Sequence, residues 1–308
     1  MMVMEQHTLV EALMKPEAYD EDARKIELVQ THISFVFLAG DYVYKVKKPV
    51  DFGFLDFTTL EKRKFFCERE LELNRRLAGD MYLEVVPINR SGTQLKVKGA
   101  GETIEYAVKM RRIPEDTMMS GLFERNQVHK DLIDELAKII AEFHAKAETG
   151  EAINKFGSLE TVKFNWDENF DQTRPFIGRT IDSNQFEVIH RQIQTFLNEN
   201  RTLFRSRIEQ DRIRDCHGDL HSGNIFVADR IYIFDCIEFN ERFRYSDVVA
   251  DVAFLAMDLD FKNRRDLSKY FVERYVAYSQ DRALINVAAL LQMLSGVCTR
   301  QGGWVPVR

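Results

Sequence analysis

Between residues 25 and 112 the chain turns strand-like six times and helical once, and after Pro114 helical periodicity takes over. The strand-like runs are 25–30, 34–39, 42–47, 83–88, 94–98 and 103–112. Gly40-Asp41 is a two-residue hairpin turn between the second and third runs. Thr31-His32 makes the preceding corner, and Gly99-Ala100-Gly101 the last turn. One helix is inserted after the third run. Its start is a capping box, Thr58-x-x-Glu61, and its stop is Gly79. A short amphipathic helix is predicted over 8–14. Later helical patterns run over 128–147, through Leu132, Leu136, Ile139, Ile140 and Phe143, and over 186–208. The expectation is an α+β fold of two lobes. A small N-terminal antiparallel sheet lobe with one helix spans 1–112, and a larger, mainly helical lobe spans 113–308, with a cleft between them.

With 308 residues, the chain is long enough for two such lobes. Lys+Arg 43 against Asp+Glu 49 gives a net charge of −6 with no basic tract, which argues against nucleic acid as a partner. No run reaches the ~18 apolar residues that span a bilayer. The first residues lack the basic flank and apolar stretch of a signal peptide. Cys67, Cys216, Cys236 and Cys298 form no CxxC pair and read as reduced, packed thiols. A cytoplasmic protein without membrane partners is expected. The sequence carries no sign of oligomeric state.

Chemistry concentrates in two neighbouring segments, HGDLHSGNIF from His217 and IYIFDCIEF from Ile231. Asp219 and Asn224 lie in one tight loop, and Asp235 ends the next apolar strand. The Asp229-Arg230 turn folds two short strands so that Asp235 returns beside Asn224. That pattern suits phosphoryl transfer. Asp219 orients an acceptor hydroxyl, while the Asn224 amide and the Asp235 carboxylate offer the hard oxygens Mg²⁺ prefers. The blander alternative makes Asp219 and Asn224 turn formers and Asp235 a strand-ending carboxylate. His217 is read as a loop-orienting residue, and His221 as a group placed to reach a transferring phosphate or to serve the loop's structure.

These two segments resemble the catalytic and metal-binding segments of the aminoglycoside phosphotransferase-like kinases, which share the protein-kinase fold. The resemblance extends to an uncharacterised bacterial branch whose first lobe is similar to THISFVFLAGDYVYKVKKPVDFGFLDF here, and it covers about residues 10–290. It implies a catalytic Asp219 and metal ligands Asn224 and Asp235. His221 stands where protein kinases carry a lysine near the γ-phosphate. It also implies a strand lysine paired with a helix glutamate against the α- and β-phosphates. Lys45 fits best, and Lys47 on the same strand face competes. Glu70, in register with Phe66, Leu73 and Leu77, is the partner, with Glu68 the alternative. Met110 to Arg112 would form the hinge that meets adenine. The cofactors implied are ATP, or GTP in its place, and Mg²⁺, with a small-molecule hydroxyl as acceptor. One departure is the turn Thr31-His32-Ile33-Ser34, which has no glycine where protein kinases have a glycine-rich loop. Backbone amides and the Ser34 or Thr31 hydroxyl would meet phosphate instead.

The segment 156–180, rich in aromatic and polar residues, is read as a loop that lines an acceptor pocket or simply packs. Asp247 and Asp251, four apart at a helix start, are read as structural carboxylates that fix the catalytic loop, with added acidic character in the pocket as the alternative. From Ser295 the helical pattern breaks off. In the resembling branch this region reads close to Cys-Tyr-Arg-Ala-Tyr-Val-Arg-Gly-Lys-Val. Codons that encode Met293 to Gly302 encode that string when read one base later. A shifted reading frame over 293–308 is therefore expected, and the gene's bases test it. Members of the branch often continue into a P-loop domain, and no GxxxxGK[ST] occurs here. Two rival functions remain. A metal-dependent phosphoesterase would use His217, Asp219, His221 and Asp235 as ligands, and a regulator would bind nucleotide without catalysis.

Overall fold

The computed structural model describes residues 2–21 and 23–284, so the expected frame change over 293–308 lies outside the described residues. In chain order α1 (Met2–Leu13), β1 (Ile26–Gln30), β2 (Ser34–Ala39), β3 (Tyr42–Lys47), α2 (Leu60–Ala78), β4 (Tyr82–Ser91), β5 (Gln94–Val97) and β6 (Glu102–Arg111) come first. The helices α3 (Met119–Glu124), α4 (Lys130–Lys146), α5 (Glu151–Asn154), α6 (Leu159–Thr173), α7 (Ser183–Glu199) and α8 (Arg201–Glu209) follow. Then come β7 (Ile213–Asp215), β8 (Ile225–Val227), β9 (Ile231–Ile233), α9 (Glu241–Arg244), β10 (Tyr245–Asp247), α10 (Val249–Phe261) and α11 (Arg265–Ser279). The chain forms two compact units. Among the described residues, the first holds those up to 118 with Asn224–Glu241, and the second 119–223 with 242–284.

In the first unit six antiparallel strands run in the order β1-β2-β3-β6-β4-β5. Ala39 faces Tyr42 across the Gly40-Asp41 turn, and Gly40 adopts the left-handed φ of 61° that such a turn asks for. β3 is buried on both faces. Tyr44 and Val46 join a core with Phe35, Phe37, Val86 and Ile88. Over that core lie α1 and the segment after it, through Leu9, Leu13, Ala18, Tyr19 and Ala23. Tyr44 donates to Glu21 (2.8 Å), and its ring lies 4.9 Å from that of Tyr19. Val43 faces the opposite core, shared with Cys67 and Ala78 of α2 and with Val108 and Met110. Each fully buried apolar side chain here contributes roughly 1.5–3 kcal/mol. A strand sandwiched this way leaves no water for its polar side chains.

α2 begins one residue later than the capping box suggested. Thr59 is the cap, its hydroxyl accepting from Lys62 N (3.2 Å), while Thr58 hydrogen-bonds Asp56. Gly79 ends the helix as expected, at φ 49°. Gly101, between β5 and β6, has φ +111°, and a Cβ there would lie 2.0 Å from the Arg90 carbonyl. Gly101→Ala is expected to destabilise by about 2 kcal/mol or more, read from the denaturant midpoint.

The second unit is mainly helical. α10 packs on α11, and α11 on α4. The segment 156–180 is not a loop but contains α6, capped by Ser158, and its Phe170 packs with Phe186, Ile189, Ile193 and Leu197 of α7. The stretch expected as one helix over 186–208 is two, α7 and α8, separated at Asn200, whose side chain donates to Phe196 O (2.9 Å). That local bond offers the backbone an exit from the helix. Among the described residues no helix is long and apolar enough to cross a membrane.

Candidate active site

In the first unit the candidate residues assemble around one buried carboxylate. Alternation along β3 sends Lys45 and Lys47 to the face that α2 covers. On α2, Cys67, Glu70 and Asn74 share the buried side. Glu70 is fully buried and holds both lysines. Lys45 Nζ donates to its Oε1 (2.8 Å) and Lys47 Nζ to its Oε2 (2.7 Å). Glu68 is exposed and pairs with Lys64 instead (3.8 Å). Lys45 also reaches Asp235 Oδ1 at 2.5 Å, and Lys47 pairs with Glu238. Two lysines and three carboxylates therefore form one network, in which only Lys45 touches the candidate metal ligand.

The charges hold one another in place. Burial alone would push the Glu70 carboxyl up, but Lys45 and Lys47 outweigh it and hold it below its ordinary value. Burial likewise works against charge on Lys45, and Asp235 and Glu70 raise its pKa well above the usual lysine range.

The Asp235 side is built by the β8–β9 hairpin, in which Ile225 faces Ile233. One step beyond, Phe234 N donates to Asn224 O (3.0 Å), so Asn224 and Asp235 come to the same end of the hairpin. Asp235 has φ +60°, a left-handed conformation that costs a non-glycine residue roughly 1–3 kcal/mol. It is fastened by its ion pair with Lys45 and by the next amide, Cys236 N, which donates to Asn74 Oδ1 (2.9 Å). The Asp235 side chain is still 42% exposed. One carboxylate and one amide, both oxygen donors and placed together, suit Mg²⁺.

A second group of candidate residues lies in the second unit, on the loop after β7. α10 holds this loop. Asp251 accepts from His217 N (2.7 Å) and Gly218 N (2.9 Å), and Asp258 accepts from Ser222 N (2.8 Å). Asp251 also meets His144 Nε2 (3.1 Å), and His144 Nδ1 meets the Tyr275 hydroxyl (2.8 Å). Asp251 thus fixes the loop, whereas Asp247 serves Arg207 and the Val249 amide. His217 orients the loop through Nδ1, which accepts from Asp219 N (3.2 Å). His221 Nδ1 accepts from Gly223 N (3.1 Å), so its neutral ring carries the proton on Nε2. That nitrogen lies 3.7 Å from Asp219 Oδ2, and Phe254 of α10 packs edge-on against the ring. Asp219 and His221 are part-exposed, at 24% and 32%.

Other expected residues are engaged elsewhere. Thr31 Oγ1 accepts from both Ile33 N (3.3 Å) and Ser34 N (2.9 Å), which closes the glycine-free turn on itself. Ser34 is fully buried, and its Oγ has no hydrogen-bond partner among the described residues. Met110 lies inside β6 with its side chain in the core, and Arg112 gives its amide to Asp41 O (2.8 Å). Sequence reasoning missed Glu238, Asn74 and Asp258. The only signals were the Asp-x-x-Glu spacing of 235–238 and the polar residues on otherwise apolar helix faces.

A phosphoesterase would need clustered metal ligands, but the Nδ1 atoms of His217 and His221 are both occupied by backbone N–H groups. His144, Cys216 and Asp251 do lie together, all buried. Their polar atoms already bond within the protein, and burial pushes the Cys216 thiol well above its ordinary pKa, which opposes metal binding.

Residues 65–284 match the model of the phosphotransferase enzyme family, and the chain belongs to that family. Uncharacterized proteins of Mycobacterium tuberculosis and Mycobacterium bovis are 34% identical over 259 residues, which is 84% of this chain and 50% of theirs. The chain thus spans about half the length of the curated relatives it matches. A choline/ethanolamine kinase family protein from Mesorhizobium loti superimposes with a TM-score of 0.50 at 14% identity, covering 97% of this chain and 84% of that one. An aminoglycoside phosphotransferase from Streptomyces rimosus gives 0.46 at 17% identity, covering 95% and 98%. The fold is the α+β, protein-kinase-like one expected from the sequence.

Proposed function

We propose that this protein transfers the γ-phosphate of ATP, bound with Mg²⁺, to a hydroxyl of a small molecule. The observation that carries this reading is Lys45, whose ammonium is shared between Glu70 and Asp235. A lysine held charged and aimed by a buried glutamate is what neutralising nucleotide phosphates requires. Asn224 and Asp235 would hold Mg²⁺, which when bound neutralises phosphate charge and orients the phosphates.

Asp219 receives the acceptor hydroxyl and takes its proton. The acceptor oxygen bonds to phosphorus as the bond between the γ-phosphorus and the ADP oxygen breaks. The transition state is loose, and Asp219 serves it both by placing the hydroxyl and by accepting its proton. His221, with its proton on Nε2, donates to an oxygen of the moving phosphoryl group. GTP is the alternative donor, because it carries the same triphosphate and the phosphate-side residues Lys45, Asn224 and Asp235 do not tell the two bases apart.

A screen of ATP and GTP with Mg²⁺ over sugars, amino sugars, amino alcohols and aminoglycosides tests the reading. One acceptor is expected to gain a single phosphate while the nucleotide is converted to its diphosphate, and chelating the metal should abolish the gain. Metal-dependent hydrolysis of phosphate esters in the absence of nucleotide would contradict it.

A further inference from the structure

Lys47 and Glu238 are not needed by the mechanism just described, yet both are buried charges. Lys47 is 1% exposed and Glu238 6%. Lys47 spans Glu70 and Glu238, and its ammonium also lies 4.9 Å from the centre of the Phe57 ring. If stability alone were at stake, an apolar pair of similar volume would serve as well or better, because burying two charges costs as much as their attraction returns. What an ion pair adds is a single defined geometry.

The spacing shows what that geometry controls. Lys47 follows Lys45 by two residues along a strand, and Glu238 follows Asp235 by three along the segment beyond β9. The pairs Lys45–Asp235 and Lys47–Glu238 are thus adjacent rungs that share Glu70. Between the rungs, Cys236 N is held by Asn74 Oδ1, and Asn74 Nδ2 donates to Glu70 O (2.9 Å). The segment carrying the strained Asp235 is fastened on both sides. The charge balance points the same way. If Lys47 were lost, Lys45 alone would face three carboxylates, and its ammonium would be drawn away from any phosphate.

We infer that Lys47 and Glu238 are a positioning pair, which sets the place of Asp235 and leaves Lys45 available to the phosphates of a nucleotide. The inference rests on the reading of Lys45 and Asp235 as the phosphate-side and metal-side residues.

The test is the double variant Lys47→Met/Glu238→Leu, which removes both charges together and leaves Glu70 paired with Lys45. Its thermal midpoint is expected to stay at or above that of the wild type. Its affinity for Mg·ADP, measured by calorimetry, should fall at least tenfold. In the ligand-free protein, hydrogen exchange at the Cys236 amide should speed up at least tenfold. Wild-type affinity with unchanged exchange overturns the inference, and so does a loss of affinity without faster exchange. Glu238→Gln keeps the volume and an acceptor for Lys47, and decides the matter if the double variant does not fold. A several-fold weaker Mg·ADP affinity in that variant supports the pair, and unchanged affinity overturns it. A wild-type protein that does not bind Mg·ADP removes the nucleotide reading and the inference together. That failure is distinguishable because it appears before any substitution is made.

Discussion

Asp219→Ala is expected to lower phosphotransfer about a thousandfold, within the range typical of removing a positioned acid–base group. Stability and nucleotide affinity should stay close to wild type. The reason lies in how the loop is held. The bonds from Asp251 and Asp258 reach backbone amides at His217, Gly218 and Ser222, not the Asp219 side chain. The Asp219 amide is held by His217, and that bond survives the substitution. The carboxylate itself is part-exposed and faces His221. Asp219→Asn should behave similarly, because an amide orients a hydroxyl but takes no proton. A steady-state assay paired with a thermal melt checks both halves of this expectation.

Asp251→Ala should have the largest effect on the fold. Its buried carboxylate satisfies two amides and His144 at once. Losing it leaves two buried polar groups and one part-buried amide without their partner, a cost of about 3–5 kcal/mol. For a protein of this size that is a fall of roughly 10 °C in thermal midpoint. Activity should fall as well, because the loop that carries Asp219 loses its anchor. The pH dependence follows from the direction of the shift. Burial pushes the Asp251 carboxyl up, but the His144 hydrogen bond and the charge of His144 outweigh it and hold it below the ordinary value. A carboxyl depressed in the folded state stabilises above its unfolded pKa of about 4 and loses that contribution as pH falls through the folded value. Asp251→Asn should therefore be less stable at neutral pH, with a shallower loss of stability on acidification below about pH 4.

Much of the first unit was legible because its signals are local. Gly40-Asp41 fixes a hairpin register by itself, and Gly79 ends α2 where it stands. The cap of α2 was misread by one residue because Thr58 and Thr59 are chemically equivalent on paper, and only Asp56 separates them. Lys45 and Lys47 were not separable by alternation, since a period of two puts both on one face. What separates them is Asp235, 190 residues further along from Lys45. Glu238 escaped notice for the same reason, because its partner is distant in sequence. α6 was misread as a loop because its exposed side is crowded with polar residues, while Phe170 is buried, and Trp166 partly so, only once α7 is beside them. The loop around Asp219 stands out in the sequence as a motif. Its support from α10 stands out less, because Asp258 looks in sequence like any other helical carboxylate.

The most direct measurement follows labelled γ-phosphate from ATP to an acceptor, with and without Mg²⁺, in the wild type, Asp219→Asn and Lys45→Met. Mg²⁺-dependent transfer by the wild type is the result expected of the proposed mechanism. Near-complete loss is expected in Asp219→Asn with nucleotide affinity kept, and loss of both transfer and affinity in Lys45→Met. Equal label transfer by the wild type and Asp219→Asn, or transfer that needs no divalent metal, would contradict that mechanism.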